Sequence, residues 1–75
     1  MSDTAMLFLR DTIEIILSKA RDAKTEKEAS KSDYDIGKVM AFHDVISTLR
    51  QQANAFGLTL EEMGLDHFDP DSDLL

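Results

Sequence analysis

Apolar residues recur at alternating steps of three and four positions from Met6 to Ala23, and the same pattern returns from Val39 to Phe56. This spacing is typical of a helix that buries one apolar seam. The stretch KTEKEASKSD between the two series is polar apart from one alanine. The sequence therefore predicts a helix over about residues 4–30, a turn near residue 31 and a helix over about residues 33–56.

The polar stretch also carries signals that start the second helix. Ser32 has Asp35 three positions on, and Ser30 has Asp33 at the same distance, so either pair can act as N-cap residue and N3 partner. One long helix in a parallel coiled coil is the alternative architecture. It requires helical structure across this capped polar gap, so a hairpin is favoured.

An antiparallel hairpin pairs the apolar positions from Met6 beside Phe56 at the open end to Ala23 beside Val39 near the turn. Large residues then face small ones in several layers, as interdigitated packing requires. The predicted fold class is all-α: an antiparallel two-helix hairpin with a short third helical turn and an acidic C-terminal tail, dimerising into a four-helix bundle.

The third element follows Gly57, which can adopt the left-handed conformation that ends a helix. Thr59 and Glu62 fit a capping box, and Gly64 provides the next stop, so a short helix is expected over about residues 60–63. The predicted organisation is a helical hairpin domain of residues 1–65 and an acidic tail of residues 66–75.

One flank of the predicted hairpin, here called the uncharged face, carries almost no charge. A single hairpin leaves this flank exposed to water, and exposed apolar surfaces of this kind mark association sites. A symmetric homodimer that forms a four-helix bundle would bury it, although the tail could also cover it within one chain. The predicted dimer interface consists of Ala5, Phe8, Thr12, Ile15, Ala41, Val45, Thr48 and Ala55.

The opposite flank, here called the cationic flank, includes Arg10, Arg21, Lys24 and Arg50, with Glu14 as its acidic member. The register places Arg10 near Arg50, and two adjacent guanidinium groups favour an anion. The tail begins at this end, so it can close the cationic flank, or tail and flank can bind another protein. The residues predicted for these contacts are Arg10, Arg50, His43, Phe68, Asp69, Asp71 and Asp73.

The net charge of −7 is concentrated near the C-terminus, because residues 51–75 contain six acidic residues and no basic one. Direct nucleic-acid binding by this part is therefore not expected, whereas a partner with a basic surface is. Asp3 near the N-terminus and the short apolar run after it favour neither a signal peptide nor a membrane span. A cytoplasmic location is expected.

No residue set has the spacing of a catalytic or cofactor site. Asp69, Asp71 and Asp73 begin like a calcium-binding loop, but the glycine and glutamate that such a loop requires do not follow. His43 and His67 lack a second histidine or a cysteine at metal-ligand spacing. The chain is therefore expected to bind no metal or cofactor and to have no enzymatic activity.

Small size, acidic charge and a dimeric helical hairpin together are similar to bacterial antagonists such as effector-immunity proteins and antiactivators of transcription factors. This resemblance implies a regulatory protein that acts by occluding a partner. Two alternatives remain: an acidic dimer that mimics DNA in the cleft of a nucleic-acid-binding protein, and a structural subunit of a larger complex.

Overall fold

The computed structural model describes residues 3–75, and within this range the chain forms three helices and no strand. α1 spans Asp3–Ser30, α2 spans Asp33–Ala55 and α3 spans Pro70–Leu74. The two long helices pack against each other, which confirms the predicted all-α hairpin. Residues 1 and 2 of the predicted hairpin domain lie outside the described residues.

The turn between α1 and α2 is built by three adjacent residues. Lys31 adopts a left-handed conformation, with φ of 54°, and its amide donates to the Lys27 carbonyl over 2.7 Å. Ser32 is the N-cap of α2, and its hydroxyl accepts from the Asp35 amide at 3.2 Å. The first of the two predicted cap pairs is therefore the one that forms.

The seam between α1 and α2 forms the centre of the core. Six of the twelve predicted seam positions are fully buried, and five more are partly buried and pack against them. An ion pair of 3.4 Å from Glu26 to Lys38 crosses between the helices near the turn. The buried seam residues are Ile13, Ala20, Ala23, Val39, Ile46 and Ala53.

At the open end the predicted layer of Met6 and Phe56 does not form. α2 ends at Ala55, and the Phe56 side chain is 78% exposed. The chain turns at Gly57, where φ is +73°, and Met63 and Leu65 are the buried residues that follow. The prediction placed Phe56 in the core because its spacing is correct, but the helix ends one residue before it.

The predicted short helix over residues 60–63 is a turn instead. Half of its capping box forms: the Glu62 amide donates to the Thr59 hydroxyl over 3.0 Å, and that hydroxyl donates to the Glu62 carboxylate over 3.1 Å. Gly64 then takes φ of +72°, and the Leu65 amide donates to the Leu60 carbonyl. Start and stop signals this close together leave room for one turn only.

The third helix lies instead within the predicted acidic tail. Asp69 caps α3 by accepting from the Asp71 amide at 2.9 Å, and Asp73 accepts from the Asp69 amide at 2.8 Å. Pro70 occupies the first turn, where its missing N–H leaves no hydrogen bond unmade. Phe68, Pro70 and Leu74 are buried, and α3 packs on both long helices.

Neither of the long helices is apolar enough along its length to cross a membrane, and this holds for all helices within residues 3–75.

Candidate protein-binding surfaces

The C-terminal segment, residues 64–75, lies along the cationic flank, as the first of the two tail hypotheses predicted. Its anchor is the Phe68 ring, which is 1% exposed and lies under the Arg21 guanidinium, 5.0 Å from its centroid. Arg50 donates from Nη1 to the Phe68 carbonyl over 2.9 Å. One aromatic residue therefore contacts a cation from each long helix.

Two further contacts continue this packing toward the turn of the hairpin. The His43 ring lies 2.6 Å from Asp71, measured from Nε2 to Oδ1, so the ring donates to the carboxylate. Lys27 donates from Nζ to the Leu74 carbonyl over 3.4 Å. The segment thus runs from the open end of the hairpin back along its length.

Leu17 shows what this packing contributes to the core. It belongs to the cationic flank by register, and sequence reasoning gave it no role, yet it is 1% exposed. Leu74, from the C-terminal segment, is equally buried. Apolar residues among the arginines and lysines of this flank are the signal in the sequence that something apolar covers part of it: Leu7, Leu17, Ile36 and Met40.

The structure therefore brings together four of the seven residues predicted for tail or partner contact: His43, Arg50, Phe68 and Asp71. Asp69 and Asp73 act within the segment itself, because both cap α3. Arg10 borders a different cavity from Arg50, one that it shares with residues of the C-terminal segment such as Gly64 and His67.

The uncharged face stays open to solvent because the C-terminal segment covers the other flank. Its large apolar side chains are well exposed: Phe8 by 71%, Ile15 by 49% and Val45 by 47%. The Thr48 hydroxyl donates to the Asp44 carbonyl at 2.8 Å, so its donor is satisfied within α2. The smaller members are exposed or partly buried: Ala5, Thr12, Ala41 and Ala55.

A groove that sequence reasoning missed opens at the end of the seam. It has a volume of about 600 Å³, and all ten residues that line it are uncharged. Met6 and Leu9 of α1 face Leu49 of α2 there, with Leu58 and Met63 of the connecting segment. The groove exists because α2 ends before Phe56, which leaves this ring on the rim rather than in the seam.

All six acidic residues of the C-terminal third are exposed, so the packing of Phe68 and Leu74 presents the acidic side of the segment to solvent. Within residues 3–75 no group of three or more histidine, aspartate or glutamate side chains is arranged to hold a metal ion. The exposed acidic residues are Glu61, Glu62, Asp66, Asp69, Asp71 and Asp73.

In comparisons with protein-family models, with curated proteins and with solved structures, no match to this chain was found.

Proposed function

We propose that this chain is a cytoplasmic, homodimeric protein-binding protein without enzymatic activity, which regulates a partner by occluding it. The observation that supports the proposal is a difference between the two flanks: the C-terminal segment packs on one and leaves the other exposed. The C-terminal segment buries Leu17 of the cationic flank, whereas the uncharged face keeps Phe8, Ile15 and Val45 exposed. A second copy of the chain supplies a matching apolar face that would cover the uncharged face.

The chemistry of the uncharged face supports burial against a second copy. Transfer of a large apolar side chain from water into an interface contributes about 1.5–3 kcal/mol when it is fully exposed beforehand. Phe8, Ile15 and Val45 are between 47% and 71% exposed, so each would contribute on the order of 1 kcal/mol per chain. No charge on this face would be desolvated, which removes the main penalty of burying helix surfaces.

Sedimentation of a charged double variant tests the dimer. Phe8→Glu with Ile15→Glu places two carboxylates in the proposed interface, so we expect a monomer where the wild type is a dimer. The matched control is Leu7→Glu with Met40→Glu on the opposite flank, because these side chains are 68% and 46% exposed. The control is expected to stay dimeric; a double variant at Phe8 and Ile15 that also stays dimeric refutes the interface.

Occlusion of a basic partner would use the exposed carboxylates of residues 61–73, most of which lie on the C-terminal segment. Removal of that segment is a poor test, because it also removes Phe68 and Leu74 from the core. Neutralisation by Glu61→Gln with Asp66→Asn leaves the caps of α3 intact and is expected to weaken the partner complex. Capture from the native cell that recovers the same partners in equal amounts would remove the acidic side from the mechanism.

A second candidate function, mimicry of DNA, draws support from the same six exposed carboxylates. Binding of this kind depends on charge over the whole surface, so it would weaken steeply as salt is added. Apolar docking on a hydrophobic surface would change little under the same titration. A partner complex with little salt dependence therefore argues against mimicry.

A further inference from the structure

The groove at the open end is an apolar feature that the fold leaves unfilled. Met6, Leu9, Leu49, Leu58 and Met63 line it, and Phe56 stands on its rim with 78% of its side chain exposed. None of the lining residues belongs to the proposed dimer interface. From this placement we infer that the groove binds the apolar face of a basic amphipathic helix from the partner, an inference that rests on the proposed function.

The uncharged lining of the groove fits the apolar face of a helix. Amphipathic helices bind by laying one apolar face into a hydrophobic groove, with anchors spaced at three and four residues. Met6 and Met63 have flexible, polarisable side chains that adapt to the shape of such anchors. Phe56 supplies an exposed aromatic ring at the edge, the kind of residue that often dominates binding energy.

The charges around the groove specify a basic helix. Glu61 and Glu62 directly precede the lining residue Met63, Asp66 follows the lining residue Leu65, and all three carboxylates are exposed. No basic residue occurs after Arg50, which borders another cavity. α1 adds Asp3 and Asp11 with Arg10 at this end, so the surroundings are acidic in balance.

The test uses the full-length protein and a labelled synthetic amphipathic helix of leucine and lysine, with a leucine and glutamate helix as its acidic counterpart. We expect fluorescence anisotropy to show binding of the basic helix and none of the acidic one. Phe56→Glu should weaken binding at least about tenfold, because it places a charge at the anchor position. Tyr34→Glu is the matched control, since Tyr34 is 77% exposed at the turn end.

The direction in which Phe56→Glu changes the affinity for the basic helix distinguishes apolar docking in the groove from electrostatic attraction to the acidic surface. Phe56→Glu makes the protein more acidic, so if charge alone held the helix, this variant would bind it as tightly as the wild type or more tightly. Either of those results overturns the inference, as does equal weakening by Tyr34→Glu. Absence of wild-type binding to the basic helix overturns it as well.

A second pair of variants covers the case in which Phe56→Glu does not fold. Gln52 is exposed and lines the groove, whereas its neighbour Gln51 is exposed and lines another cavity. Gln52→Lys should therefore weaken binding of the basic helix by a larger factor than Gln51→Lys. Equal effects of the two lysines would overturn the inference.

Sedimentation of the same samples separates this inference from the proposed function. A monomeric wild type that still binds the basic helix through Phe56 contradicts the proposed dimer and leaves the groove assignment standing. A wild-type dimer that does not bind the basic helix contradicts the groove assignment and leaves the proposed dimer standing. Retention of the dimer by Phe56→Glu is the expected result, because this residue lies outside the uncharged face.

Discussion

Substitution of Phe68 by alanine measures how much the C-terminal segment contributes to the fold. The ring is 1% exposed and contacts Arg21, while its backbone carbonyl accepts from Arg50. Replacement of a buried phenylalanine by alanine costs about 3–5 kcal/mol, because it removes both transferred apolar surface and packing. A cation over an aromatic ring adds about 0.5–2 kcal/mol to what is lost.

That loss is large for a chain of 75 residues, whose free energy of unfolding is expected to be about 4–11 kcal/mol. Urea denaturation monitored by circular dichroism measures the change in the free energy of unfolding. All samples are kept at one protein concentration, because the stability of a dimer rises with concentration. We expect Phe68→Ala to lower the free energy of unfolding by at least about 3 kcal/mol.

The control is Phe56→Ala, which removes the same ring from a site that is 78% exposed. A surface substitution of this kind changes stability by about 0.5 kcal/mol or less. If Phe68→Ala also costs less than about 1 kcal/mol, the C-terminal segment does not pack on the cationic flank and does not leave the uncharged face free in the way described above.

Four smaller perturbations test local features. Ser32→Ala removes the N-cap of α2 and should lower the free energy of unfolding by about 1 kcal/mol in urea denaturation. Gly37→Ala should raise it by about 0.5–1 kcal/mol, because Gly37 lies inside α2 with nothing within 4 Å of an added Cβ, whereas Gly64→Ala should lower it by about 1 kcal/mol, since φ there is +72°. A double-mutant cycle of His43→Ala and Asp71→Asn should give a coupling energy of about 0.5–1 kcal/mol that falls with added salt.

Each of these predictions has a contradicting result. An unchanged midpoint for Ser32→Ala would contradict the assignment of the Ser32 hydroxyl as the N-cap of α2. Equal effects of alanine at Gly37 and Gly64 contradict the assigned backbone conformations. A coupling energy near zero at low salt means that His43 and Asp71 do not meet in solution.

The hairpin could be predicted because its signals are local and repeated. The heptad spacing of the two long helices and the Ser32 cap each depend on residues within a few positions of one another. The same holds for the capping box of Thr59 and for the left-handed Gly57 and Gly64. The prediction was wrong at the open end about where α2 ends. The periodicity continues to Phe56, but α2 ends at Ala55.

The fold of the C-terminal segment was harder to predict because its signals are few and lie among many charges. Asp69 followed by Pro70 is a helix start, yet α3 is only five residues long and has no periodicity to support it. Its stability depends on burial of Phe68 and Leu74 against distant residues, a tertiary effect that local patterns do not report. The groove could not be predicted either, because it forms only when α2 ends before Phe56 and the connecting segment packs beside the seam.

An isotope-filtered nuclear Overhauser experiment on a mixture of labelled and unlabelled chains distinguishes contacts between chains from contacts within one chain. We expect contacts between chains at Phe8, Ile15 and Val45, and contacts of the Phe68 ring with Leu17 and Arg21 within one chain. Contacts between chains at Phe68, or none at Ile15 and Val45, would contradict this expectation: the first result would mean that the C-terminal segment is exchanged between subunits, and the second that the uncharged face is not an interface.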